Sequence, residues 1–285
     1  MTYAGAGAIP ARPFFQILPA NRSLAFAGAG LLAALNAQAG QIIDAIRFTP
    51  LIDSVTSLAG ISAVVWAAMY AVLRIALEEG SEPYRRADGL VLAAVLAASF
   101  VPLSFAAQAG LLLCGLYLFA TSRTTSSSGR AAIVLLALTG PLLWGRIILH
   151  SFEVPLLALD ARLVGSAISS TVDGNTLHFA ESSRRFLIGG PCSSVHNMSL
   201  AILLWTTAAA LFKLRIDVRL LAFGVAMVAL MFALNIARLA SIGLFPADFE
   251  LLHNGAGAVL FGWAGLIGAG ALAGLGVSDA VRRQH

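Results

Sequence analysis

Charge is what this sequence has least of. Charged residues make up 11% of its 285 positions, where a soluble domain carries about a quarter. With 59% hydrophobic residues and a mean hydropathy of +0.86, a soluble globular protein is excluded. Cysteine is scarcer still: Cys114 and Cys192 are the only two, too few for a disulfide framework. His-Glu-x-x-His and Cys-x-x-Cys spacings are missing. A zinc site built from His178, Glu181 and His253 therefore has no spacing to support it, and neither metal nor cofactor is expected. There is no internal repeat of fixed period, and the one biased stretch, the Thr/Ser-rich segment 124–128, has the composition of a flexible connector.

What is abundant is apolar sequence in runs near the length of a bilayer span, about 20 residues. They lie at roughly 23–39, 54–77, 89–103, 105–120, 131–149, 193–212, 220–243 and 254–277. The expected fold is an all-α integral membrane protein. It is one polytopic domain over 1–285, a bundle of about eight transmembrane helices with a small extracytoplasmic cap between the fifth and sixth spans. Pro102 and Ser104 divide the third and fourth runs into a tight hairpin, with one long kinked helix as the other possibility. The first run, with Arg12 and Arg22 before it and Ala37-Gln38-Ala39 after it, also has the outline of a cleavable secretory signal.

Basic residues orient such a bundle, because cytoplasmic loops are enriched in Lys and Arg. With both ends inside, twelve basic residues fall on the cytoplasmic side and six, namely Arg47, Arg146, Arg162, Arg184, Arg185 and Arg238, on the outer side. This bias accounts for the net charge of +4 and the isoelectric point near 9.6, so no nucleic-acid partner is implied. The expected location is the cytoplasmic (inner) membrane, with both termini cytoplasmic. Gly174 and Gly129 then lie on opposite sides.

The longest stretch between spans, 150–191, is thereby outside. In "SFEVPLLALDARLVGSAISSTV", Val154, Leu157, Leu163, Val164 and Ile168 can share a helical face, with Asp160 and Arg162 elsewhere; this predicts an amphipathic helix lying on the surface. Asp173-Gly174-Asn175 and Gly189-Gly190 are turn signals around two short strand-like pieces, the pattern of a small hairpin.

The two cysteines have different addresses. Cys114 is mid-span among leucines and reads as a small buried hydrophobe. Cys192 stands in "GGPCSSVHN", at the outer start of the sixth run, where the dipole and free N–H groups of a helix favour an anion and hence the thiolate that acts as a nucleophile. A disulfide between a mid-membrane and a surface cysteine is not expected, since bonded Cα atoms lie within about 7 Å. A nucleophilic cysteine needs a proton acceptor and a group to hold an oxyanion. At the same outer level the seventh run offers Arg238, with Asn235 three residues before it, and His253 opens the eighth. An arginine that deep in a span is costly unless it faces the bundle interior.

These residues carry a resemblance. "PCSS" at the head of one span, "NIAR" near the end of the next and "ELLHNGAG" opening the last resemble the exosortase/archaeosortase family of multi-span cysteine transpeptidases, over roughly 186–263. The resemblance implies Cys192 as nucleophile, His253 as general acid and base, and Arg238 as the cation that stabilises oxyanion or substrate, with Asn235 supporting Arg238. Ser194 departs from the Cys-Ser-Gly common in that family. The implied activity is that of a cysteine peptidase or transpeptidase. Its partners are exported proteins bearing a C-terminal sorting signal: a PEP-type motif, a hydrophobic helix and a basic tail. The signal is cut near the motif through a thioester, and an acceptor of unknown identity, or water, resolves it.

Neighbouring residues have simpler roles open to them. His196, four residues after Cys192, could form a local dyad with it or contact substrate. Ser193 and Ser194 suit helix capping. Arg184 and Arg185 can grip an acidic motif or meet lipid headgroups, and His150, Glu153, His178 and Glu181 in the cap read as solvated. A transporter in which Arg238 contacts an anionic solute is the competing class, although there is no repeated half and no pair of broken helices. An assembly subunit is a third.

Overall fold

The computed structural model describes residues 21–48, 58–80, 82–178 and 185–284, and these are predominantly helical. In chain order the helices are α1 (Arg22–Ala37), α2 (Ala39–Phe48), α3 (Ala63–Ala76), α4 (Asp88–Phe100), α5 (Ser104–Ala120), α6 (Ser127–Thr139), α7 (Gly145–Ser151) and α8 (Glu153–Ile168). Strands β1 (Thr171–Asp173), β2 (Thr176–His178) and β3 (Arg185–Leu187) follow. After them come α9 (Ser194–Leu211), α10 (Val218–Leu244), α11 (Phe249–His253) and α12 (Ala256–Gln284).

Every apolar run of the sequence contains a helix, but the helices differ in reach. Ser127–Ser151, Ser194–Leu211, Val218–Leu244 and Ala256–Gln284 are long and apolar enough to cross a membrane, and α1 with α2, bent by 52°, would make a fifth span. The remaining three, α3, α4 and α5, have 14, 13 and 17 residues. At 1.5 Å per residue α4 covers roughly 20 Å of a hydrocarbon layer about 30 Å thick. Helix length alone therefore supports fewer than the eight spans expected. The hairpin reading of the third and fourth runs holds: α4 stops at Phe100, α5 begins at Ser104, and the two pack side by side. In the fifth run a π turn over Gly140–Trp144 joins α6 to α7, with Pro141 in its first turn. Proline has no N–H for the α-helical ladder, and the wider turn accommodates that gap without ending the helix.

The bundle is polarised. At one end lie the starts of α1, α4 and α6 and the ends of α3, α5 and α9, and the buried charges Arg22, Asp88 and Arg130 gather there. Arg22, on α1, is 1% exposed; its Nε donates to Asp88 Oδ2 at 2.7 Å and its Nη1 to Ser122 Oγ at 2.9 Å. The Tyr117 hydroxyl donates to Asp88 Oδ1 at 2.8 Å. Beside them Arg130 Nη2 meets Glu78 at 2.5 Å, and Lys213 reaches the same carboxylate at 2.9 Å. Charges out of water persist only when paired and hydrogen-bonded, so this network fixes how α1, α4, α5 and α6 meet. It also makes α1 an integral member of the bundle. Between the ends, Phe26, Leu111, Leu135, Leu138 and Leu203 form a closed apolar core. Cys114 belongs to it, fully buried, its thiol donating to Phe26 O at 3.3 Å.

The opposite end carries the cap. As the turn signals predict, β1 and β2 form an antiparallel hairpin around Gly174, whose φ of +58° suits the residue; β3 then adds antiparallel to β2. The sheet sits on α8, where Gly165 admits it: a Cβ there would collide with Val172. The helix face differs from the one expected. Leu157, Val164 and Gly165 point inward, but Val154 is exposed and Asp160 is buried.

Candidate active site

Cys192 stands where cap and bundle meet. The chain leaves β3, buries Ile188 and makes a 3₁₀ turn over Gly190–Cys192, in which the Cys192 N–H bonds Gly189 O at 2.9 Å and the Ser193 N–H bonds Gly190 O at 3.1 Å. Ser193 is the N-cap of α9, its hydroxyl accepting from the Val195 N–H at 3.3 Å. Ser194 opens the helix. Its N–H and hydroxyl both bond the Asp160 carboxylate, at 3.1 and 2.9 Å. The anion at this helix start is thus Asp160, and the first N–H groups of α9 are engaged by Asp160 and Ser193, not by the Cys192 thiol as expected. Burial pushes the Asp160 carboxyl above the usual carboxylate range, while the bonds from Ser194 and Ser193 pull it down.

From α10, Asn235 closes the turn. Its Nδ2 donates to Cys192 O at 2.9 Å and to Ser194 Oγ at 3.1 Å, and its Oδ1 accepts from Asn197 Nδ2 at 3.2 Å. At 2% exposure, all these bonds are within protein. Asn235 therefore holds the cysteine turn, where its expected role was to support Arg238. Ser194, in place of the family's glycine, adds a hydroxyl to the same network.

His253 arrives from the other side. It ends the short helix α11 and lies before the Asn254-Gly255 break, not within the long helix α12 that follows. Its Nε2 is 3.5 Å from Cys192 Sγ. Its Nδ1 is 2.8 Å from Asn254 Oδ1, and Asn254 Nδ2 donates to Glu250 Oε2 at 3.0 Å. That anchoring makes the Asn254 oxygen an acceptor for an Nδ1 proton, which leaves the Nε2 lone pair toward the thiol. The imidazole also stacks on Phe249, 4.8 Å between centroids, and Phe249 in turn meets Phe186 of β3 edge-on. Cap strand, α11 and histidine are thus packed in series.

Arg238 lies one turn along α10 from Asn235. It lines, with Asn197, Asn235 and Phe261, a cavity of about 90 Å³ between α9, α10 and α12. It is half-buried, forms no ion pair among the described residues, and its buried Nε has no hydrogen-bond partner there. His196 faces elsewhere, into a separate cavity of about 540 Å³ with Gln38, Arg146 and Gly190. Arg185 is exposed on β3 opposite His178. Arg184 and Glu181 lie outside the described residues.

The structure thus brings Cys192, His253 and Asn235 together and sets Arg238 in the adjoining cavity, with His196 apart. Three residues of this site escape sequence reasoning: Asp160, Asn254 and Glu250. Asp160 is three residues after Leu157 and four before Val164, a helical spacing that puts it on the buried face. Asn254 and Glu250 flank the histidine at hydrogen-bonding separations. A thiol against an imidazole with a fixed Nδ1 partner can form a nucleophilic thiolate and transfer its proton.

Fold and site define a class: a polytopic helical membrane protein that opposes a cysteine and a histidine at one end of its bundle. The chain belongs to the transmembrane exosortase family, whose model matches residues 55–269. The match extends well upstream of the motifs, to residue 55. Membership points to a cysteine-dependent membrane transpeptidase that sorts exported proteins with C-terminal signals. Comparison with curated proteins and with solved structures gives no match.

Proposed function

We propose that this exosortase cleaves the C-terminal sorting signal of exported proteins, a PEP-type motif followed by a hydrophobic helix and a basic tail, through a thioester at Cys192. The observation that carries this reading is the 3.5 Å approach of Cys192 Sγ to His253 Nε2, with Asn254 bonded behind the ring. His253 takes the thiol proton as Sγ adds to the scissile carbonyl, and Arg238 stabilises the charge on the oxygen. When the C–N bond breaks, His253 returns the proton to the departing amine, leaving the acyl group on Sγ. An amine acceptor or water then adds to the thioester, gives a proton to His253, and the thiolate leaves. Arg184 and Arg185 are the residues we assign to an acidic motif of the substrate or to lipid headgroups.

Cys192→Ala is expected to abolish processing of an exported substrate, compared by gel as unprocessed and mature forms in cells. Cys114→Ala should keep most of it, because Cys114 is packed in the core away from the site. Equal processing by the two variants would sink the assignment.

We further place the site at the outer leaflet, with eight helices in the membrane and both termini cytoplasmic, supported by twelve basic residues against six. Asp173 at the cap hairpin and Thr125 in the Ser-rich loop are exposed. Asp173→Cys and Thr125→Cys, each in a chain lacking both native thiols, should differ toward an impermeant thiol reagent on intact cells. Labelling at 173 alone is expected, and labelling at 125 alone would invert the topology.

A further inference from the structure

Helices α3 and α12 each pack on α9 and leave an apolar furrow between them, with α9 as its floor. It consists of two cavities of about 440 and 700 Å³ that meet at Leu204. At the cap end it begins at Asn197, the residue bonded to Asn235 beneath the cysteine turn. At the other end it reaches Leu211 on α9 and Arg282 on α12. At the 1.5 Å rise of a helix this is roughly 21 Å along α9 from Asn197 and roughly 35 Å along α12 from Val259, about the thickness of a hydrocarbon layer.

On α12 the furrow wall is cut back to small residues. Gly270 and Gly274 are exposed, four apart, and a Cβ at either would meet nothing within 4 Å. Small residues at that spacing let a second helix approach backbone to backbone in a membrane. The length of the furrow chooses between occupants. A lipid acyl chain belongs to one leaflet and covers about half of a hydrocarbon layer about 30 Å thick, whereas the furrow runs on from Asn197 to Arg282, the reach of one transmembrane helix.

We infer that this furrow is the docking groove for the substrate's own hydrophobic helix. The inference rests on the function proposed above and extends it to where substrate is held. A helix lying from Arg282 to Asn197 delivers the residues preceding it to the cap end, beside Cys192 and His253. Substrate choice then depends on the small-residue face of α12 as well as on the cleavage motif.

The test is disulfide cross-linking in membranes. The probe is an exported carrier ending in the PEP-type motif, an apolar helix with one mid-helix cysteine and a basic tail. The enzyme carries Gly274→Cys with Cys114→Ala and Cys192→Ala, so no turnover is needed. Val225→Cys in the same background is the control, since Val225 on α10 is 61% exposed, outside the furrow and at the depth of Gly274. Probe cross-linking at Gly274→Cys is expected to exceed the control roughly tenfold, the advantage of a held pair over random encounters. Adding Ala208→Phe, which fills the floor, should remove that excess; if this variant fails to fold, the comparison of 274 with 225 decides alone. Equal cross-linking at the two positions overturns the groove, and so does cross-linking at 274 only between two enzyme copies. Cleavage of the same probe by the unmodified chain is scored separately. Cleavage without preferential cross-linking rejects the groove and spares the function, whereas cross-linking without cleavage rejects the function and spares the groove.

Discussion

His253→Ala is expected to leave folded protein with processing reduced about a hundred- to ten-thousandfold, the contribution of a positioned general acid and base. His196→Ala should retain much of its activity. Both histidines are within reach of Cys192 by sequence, one through a helical spacing of four and the other through topology alone. Of the two, His253 addresses the thiol, at 3.5 Å, while His196 turns to the cavity beside Arg146. The loss in His253→Ala is chemical, because His253 is half-buried on a five-residue helix and carries little of the core. Asn254→Ala should fall between the two: the ring stays stacked on Phe249, but the partner that fixes its Nδ1 proton is gone. Acyl-enzyme trapping with purified protein in nanodiscs and an anchored substrate is the measurement. An adduct that forms in His253→Ala and disappears in His196→Ala would make the local dyad right and this assignment wrong.

What the sequence reveals here follows the range of the forces involved. Apolar runs and turn residues act locally, so a helix in each apolar run, the break at Pro102 and the hairpin around Gly174 are legible in the order of residues alone, whereas α2, which follows the first run, and the short α11 are not. Cys192, Arg238 and His253 come to one end of the bundle because alternating helices leave few arrangements, and motif order agrees with that pattern. Asp160 shows where such reasoning stops. An aspartate in an amphipathic helix is assigned to water by its charge, yet here two Ser194 donors and a cap core draw it inside. The role of Asn235 is hidden for a similar reason. Its partner is a backbone carbonyl 43 positions away, and a carbonyl leaves no mark in sequence. Where α11 ends and α12 begins is equally tertiary, since Asn254-Gly255 reads as an ordinary helix start until the fold shows His253 turned back toward the cap.

Arg238→Ala should also reduce processing, by roughly a hundred- to a thousandfold if the guanidinium holds charge that develops only in the transition state. The setting favours such a role. A cation on an apolar helix is expensive unless something offsets it, and among the described residues Arg238 has no carboxylate to pair with and an Nε without a partner. Its neighbours, Asn197 and Asn235, are already bonded to each other and to the cysteine turn, which leaves Arg238 as a cation lining the cavity without a partner among the described residues. Arg238→Lys should be nearly as damaging as Arg238→Ala, because an ammonium keeps the charge but not the planar pair of donors. Substrate cross-linking at Gly274→Cys should persist in both variants, since the furrow is formed by α3, α9 and α12 and its docking surface does not include Arg238. Processing measured beside that cross-link separates lost chemistry from lost binding. Arg238→Lys with near-normal processing would reduce the residue to a bulk positive charge, and Arg238→Ala with near-normal processing would remove it from the mechanism.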